Sequence, residues 1–346
     1  MNLPTQLITT TGLISGTLIV ISSNHWVVVW IGLELNMLAA LAIIVKPKHP
    51  RTAEAAIKYF LVQAIASTMI LYASTINATQ TGQWDMSTMT NKYACTMLLL
   101  ALTIKLGTIP MHFWLPEVMQ GTATTTALII ASWQKIAPIS ILFMTYNHLP
   151  QNMMMITGLL SIIIGGLGGI NQTQLRKLMA FSSINNLGWT LTIFSISPLM
   201  ATANIMIYMI TLTPSFMIMK KMSLKTLQSL TTTWTSSPLA NTLLMLLLLS
   251  LSGLPPLTGF TPKIMILNEL TTQNLTPLAA TMALTSLISL MFYIRTTYIT
   301  AMITPPMMPT STTKWRAPST HKKLTSTAVP PSLIVLPLMP LLLAMT

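Results

Sequence analysis

The chain has 346 residues, of which 52% are hydrophobic and only 7% charged, and its mean hydropathy is +0.67. These values exclude an ordinary soluble domain and point to an all-α polytopic membrane protein. Its 18 Lys and Arg outnumber 5 Asp and Glu, a surplus that in a membrane protein expresses topology, so no nucleic-acid partner is expected.

Apolar runs of about 18 to 25 residues predict about eleven helices in chain order, near 3–22, 26–45, 54–76, 93–119, 123–146, 151–170, 175–195, 199–220, 239–271, 276–299 and 325–344. The first run lacks a basic leader and a small-residue cleavage site, so it is expected to stay in place. With the N-terminal side named A, fourteen of the Lys and Arg fall in A-side segments and only Lys92 falls opposite, on side B. One helix missed or invented would scramble that bias, which puts the N-terminus on the positive-inside face and the C-terminus on the other. A polar stretch at 304–323 reads as an A-side loop facing lipid or partner subunits.

The second predicted helix carries Glu34, the acid clearly inside a span. The fourth contains Lys105, followed by Gly107 and Pro110. Lys105 lies roughly 15 to 20 Å along a helix that begins near Tyr93, close to the middle of a hydrocarbon core about 30 Å thick. A lysine at that depth costs roughly 2.5 to 3.5 kcal/mol on insertion scales, and less beside a partner or wet cavity. Proline removes a helix hydrogen bond and crowds the preceding turn, and a helix broken at this depth is tolerated only where protein or water meets the freed backbone. The fifth helix holds Lys135 at similar depth, with Pro138 one turn later. The ninth is interrupted by Gly253, Pro255, Pro256, Gly259 and Pro262, immediately before Lys263. Two broken helices in separate parts of one chain suggest two inverted repeats of about five helices, near 26–170 and 175–344, within a single membrane domain.

Ionisable residues at mid-membrane are functional by default, so Glu34, Lys105, Lys135 and Lys263 are the candidate proton-transfer residues. Each has a bland counterpart. Lys105 and Glu34 are expected to meet if their helices pack together, and that pair alone would fix helix packing. Lys135 would snorkel to the surface, and Lys263 would cap the second half-helix or reach face B. Glu117 is either an interfacial cap or part of a proton exit. His112 is either a relay or a partner for carbonyls freed at the break. The lone Cys95 and the scattered His25, His49, His112, His148 and His321 offer neither a thiolate-held cluster nor a metal spacing. No metal or cofactor is expected in the chain.

The stretches KLGTIPMHFWLPEVMQG from Lys105, SWQKIAP around Lys135, QLRKLMAFSSINNLGW from Gln174, GLPPLTGFTPK ending at Lys263 and GLELNMLA around Glu34 closely resemble the antiporter-like membrane subunits of respiratory complex I. The resemblance runs over nearly the whole chain with the motifs in the family's order. It implies that Glu34 and Lys105 form a Glu/Lys pair, that Lys135 is the central lysine and that Lys263 belongs to the second broken helix. It also implies a proton path driven by redox chemistry in other subunits. NADH, FMN, iron–sulfur clusters and ubiquinone would be held there, and the partners would be other membrane and accessory subunits together with phospholipids. The Met- and Thr-rich composition resembles mitochondrially encoded chains, making side A the matrix and side B the intermembrane space. Where many relatives have histidine this chain has Ile130 and Asn186, and Gln120 replaces the family's usual acid. An autonomous cation/proton antiporter and a structural subunit that only transmits conformational change are the competing readings, and a quinone-reducing site is the least supported.

Overall fold

The computed structural model describes residues 3–46, 49–255, 257–302, 329, 330 and 332. The expected A-side loop at 304–323 lies outside the described residues, as does nearly all of the helix expected at 325–344. Among the described residues every regular element is a helix. The first helices are α1 (Leu3–Ser22), α2 (Trp26–Ile44) and α3 (Pro50–Thr81). Next come α4 (Lys92–Leu106), α5 (Trp114–Gly121), α6 (Thr124–Ala131), α7 (Trp133–Thr145) and α8 (Gln151–Ile170). The remainder are α9 (Leu175–Phe194), α10 (Pro198–Lys221), α11 (Leu227–Ser236), α12 (Pro238–Ser252), α13 (Phe260–Thr272) and α14 (Thr276–Met302).

Seven described segments are long and apolar enough to cross a membrane as single helices, with α6 and α7 together forming one of them. The chain is a multi-pass membrane protein. The broken helices miss that count because their halves are short: α4 and α12 have 15 residues each. In α9 the apolar run is diluted by Ser182, Ser183, Asn185 and Asn186, all buried, so a helix this polar is kept from lipid by protein around it.

Contacts divide the chain into two compact units, Met1–Ser161 with Thr190–Pro198, and Ile162–Trp189 with Leu199–Thr346. In the first, α3 packs against α2, α4 and α5. There α1 and α2 approach at Gly16 and Gly32, where a Cβ on Gly16 would stand 2.9 Å from the Gly32 carbonyl oxygen and the Asn36 nitrogen. Small residues permit this backbone approach, which supplies dispersion contact where lipid offers no hydrophobic drive. In the second unit, α14 packs against α11, α12 and α13.

Two elements differ from the sequence expectation. The fifth predicted helix breaks at Ser132 (φ −113°, ψ −77°), and Pro138 sits inside α7 without ending it. The short α11 has no apolar run to betray it. Its signal is a helical spacing of Leu227, Leu230, Thr231 and Trp234, of which the first three are buried.

Candidate functional site

In the first unit the chain stops being helical at Gly107, whose φ of 80° is the left-handed conformation that closes α4. A helix end leaves carbonyls without partners, and here protein supplies them. The Trp114 indole N–H donates to the Ile104 carbonyl at 3.1 Å and the Gln63 amide donates to the Lys105 carbonyl at 3.4 Å. The backbone N–H and hydroxyl of Thr108 both reach the Thr103 carbonyl, at 3.0 and 3.2 Å. Lys105 thus lies in the last turn of α4, 6% exposed, at the end of a half-helix where the backbone dipole favours a cation.

Glu34 does not form an ion pair with Lys105. Its carboxylate accepts from the Ser67 hydroxyl at 2.5 Å and acts on Lys105 as a coulombic neighbour. The reason is packing. The α3 helix lies against both α2 and α4, and Gln63 and Ser67, one turn apart on the same α3 face, hold Lys105 through its backbone and Glu34 through its carboxylate.

Lys135 stands at the start of α7, just past the break at Ser132, and is 2% exposed, so it does not snorkel to the surface. Its neighbour Gln134 fixes that start: the Gln134 amide donates to Asn36 Oδ1 at 3.1 Å, and the Tyr59 hydroxyl donates to Gln134 Oε1 at 3.4 Å. Tyr59 in turn sets its ring edge-on to Trp114, with centroids 5.8 Å apart. One polar chain therefore joins α2, α3 and α7 beside Glu34 and Lys135.

The second unit repeats the device with the polarity of the break reversed. The α12 helix ends at Gly253 with φ 81°, and Lys263 occupies the first turn of α13. Its Nζ donates back to the Ser252 carbonyl at 2.6 Å and lies 5.7 Å from the centroid of the Trp189 ring. A Cβ on Gly253 would come within 2.9 Å of Lys263 Cδ and Nζ. Lys263 therefore caps the first half-helix rather than the second. Beside it lies a cavity lined by Asn186, Asn204, Tyr208, Thr211 and Lys263 among others, with about 10 Å³ for the centre of a water molecule.

Of the remaining candidates, His112 lies within the first break, between the end of α4 at Leu106 and the start of α5 at Trp114. Lys58 bridges Glu54 at 2.5 Å and Glu117 at 2.7 Å, all partly exposed. His112 is 4% exposed and its ring rests against Phe113 with centroids 4.0 Å apart. Its Nδ1 meets no hydrogen-bond partner among the described residues. His25 caps α2 by accepting from the Val27 N–H at 3.3 Å. Among the described residues no group of His, Cys, Asp or Glu gathers to hold a metal. Sequence reasoning missed Asn36, Tyr59, Gln63, Ser67, Gln134 and Asn204. Their shared signal is a hydrogen-bonding side chain inside an apolar span, where it must find a protein partner or water.

Comparison with known proteins places this architecture. The model of the NADH:quinone oxidoreductase/Mrp antiporter transmembrane family matches residues 23–289. The chain is 50% identical over 333 residues to NADH-ubiquinone oxidoreductase chain 2 of Varanus baritji, covering 96% of each. It is 44% identical to the protein of the same name from Gallus gallus, covering all of both chains. Its fold is like that of a chain in respiratory complex I from Thermus thermophilus with bound aureothin, at a TM-score of 0.75 and 24% identity over 95% of this chain and 75% of that one. With the family's model matching residues 23–289 and relatives at these identities along its whole length, the chain belongs to the NADH:quinone oxidoreductase/Mrp antiporter transmembrane family.

Proposed function

We propose that the chain is a proton-translocating core subunit of respiratory complex I, in which Glu34, Lys105, Lys135 and Lys263 carry protons. The observation behind this reading is that the three lysines, 6%, 2% and 7% exposed, each stand beside a helix interruption. Burial of an ammonium without a carboxylate in contact is costly, and among the described residues neither Lys105 nor Lys263 has one. A lysine held that way changes charge readily when its surroundings shift, which is the property a proton carrier needs.

Glu34 supplies the control in the first unit. Any displacement of α3 changes the Ser67 bond to Glu34 and the Gln63 bond to Lys105 together, and with them the attraction between the two charges. Electron transfer from NADH to ubiquinone takes place in partner subunits, which hold FMN, iron–sulfur clusters and quinone. The proposed setting is the mitochondrial inner membrane, with the N-terminus on the matrix side, the C-terminus on the intermembrane-space side and phospholipid around the helices.

The test is the assembled complex in proteoliposomes with Lys105→Met, Lys135→Met or Lys263→Met, measuring protons moved per NADH oxidised. A lower ratio in an intact complex supports the proposal. An unchanged ratio in all three assigns the chain a structural role in transmitting conformational change. Cation transport by the isolated chain in liposomes would favour an autonomous antiporter instead.

A further inference from the structure

The cavity beside Lys263 has three properties that together specify an occupant. Its volume admits about one water molecule. Asn204, on its wall and 4% exposed, has a buried Nδ2 that meets no acceptor among the described residues. Lys263 gives one bond, to the Ser252 carbonyl, whereas an ammonium carries three N–H donors. Two kinds of unused donor therefore adjoin one small space that Asn186 and Thr211, which carry acceptor oxygens, also line. The Thr211 hydroxyl donates to backbone carbonyls at 3.0 and 3.2 Å, which leaves its lone pairs to accept. A wall with a lysine and no carboxylate repels a metal cation.

We propose that this cavity is the site of one fixed water, held by Asn204, and that this water is the immediate proton partner of Lys263. The water accepts from Asn204 Nδ2 and Lys263 Nζ through its two lone pairs and donates to oxygens of the opposite wall. Transfer along the lysine bond breaks one N–H bond and forms one O–H bond, leaving a neutral amine and a hydronium, and the reverse step restores both. Asn204 is a positioning residue in this scheme: it exchanges no proton and fixes where the acceptor oxygen stands. The role of the water rests on the proton-carrying function proposed for Lys263, whereas its presence does not.

Two measurements on the assembled complex separate these points. A density map fine enough to show other buried waters in this chain is expected to contain one peak within hydrogen-bond distance of both Lys263 Nζ and Asn204 Nδ2, and an empty cavity in such a map overturns the proposal. Asn204→Leu, which fills the space and removes the donor, is expected to lower protons moved per NADH as far as Lys263→Met does. Asn204→Ser, which keeps room and a hydroxyl, is expected to restore most of the ratio. If Asn204→Leu prevents assembly, Asn204→Ser and the map decide. A normal ratio in Asn204→Leu beside a lowered one in Lys263→Met rejects the water's role and keeps the lysine's. Normal ratios in both reject the proton-carrying role of Lys263 and this inference with it.

Discussion

The Ser67 hydroxyl donates to Glu34 at 2.5 Å, while Gln63, one turn earlier on the same helix, donates to the backbone carbonyl of Lys105. One face of α3 thus touches both charged residues, which act on each other as coulombic neighbours without an ion-pair contact. Ser67→Ala removes a hydrogen bond to a carboxylate, an interaction of about 1.5 to 3 kcal/mol. It is expected to lower protons moved per NADH in the assembled complex, by less than Glu34→Gln, because the carboxylate itself survives. Equal values for Ser67→Ala and the unmodified complex would make the bond incidental.

The carbonyls freed at the first break offer a stability test. Trp114→Phe removes the donor to the Ile104 carbonyl while keeping an aromatic ring against Tyr59. The Gly107 N–H still reaches the Ile104 carbonyl at 3.1 Å, so this variant removes one of two bonds. Gln63→Leu instead takes from the Lys105 carbonyl its side-chain donor, and leaving a buried carbonyl unmet costs about 1 to 3 kcal/mol. A lower thermal midpoint for the assembled complex is expected for Gln63→Leu and a smaller drop for Trp114→Phe, and an unchanged midpoint in Gln63→Leu would show that another group meets the Lys105 carbonyl.

Two glycines with positive φ, Gly82 and Gly253, separate backbone strain from collision. Gly82 has φ 71° and open space where a Cβ would stand, so Gly82→Ala is expected to cost only the left-handed penalty of about 1 to 2 kcal/mol. Gly253→Ala adds a clash with Lys263 at 2.9 Å. It is expected to reduce both thermal stability and protons moved per NADH, whereas Gly82→Ala reduces stability alone. Identical behaviour of the two variants would detach Lys263 from the shape of the break.

Lys58 sits between two carboxylates yet has a side chain 40% exposed. Exposed ion pairs contribute little and are screened by salt. Lys58→Met is therefore expected to assemble and pump normally at physiological ionic strength, as measured by the same proteoliposome assay. A loss of pumping would transfer a functional role to Lys58 and Glu117.

Length, apolar runs and Gly/Pro placement determined by themselves that this is an all-α membrane protein, where most of its described spans lie, and that those bearing Lys105 and Lys263 are interrupted. Lipid cannot satisfy backbone polar groups, so span length and breakage are written locally, residue by residue. Depth along a helix likewise marked Glu34, Lys105, Lys135 and Lys263, because an ionisable side chain in an apolar run is visible without knowing its neighbours. What faces those residues was left to tertiary packing. That one face of α3 bonds both Glu34 and the Lys105 carbonyl, that Gln134 ties the start of α7 to Asn36 and Tyr59, and that Lys263 turns back onto Ser252 beside a water-sized cavity all depend on which helix faces meet. Hydrogen bonds between residues 33 to 98 positions apart leave no local periodicity to detect, since their partners are brought together by side-chain packing and small-residue contacts between helices.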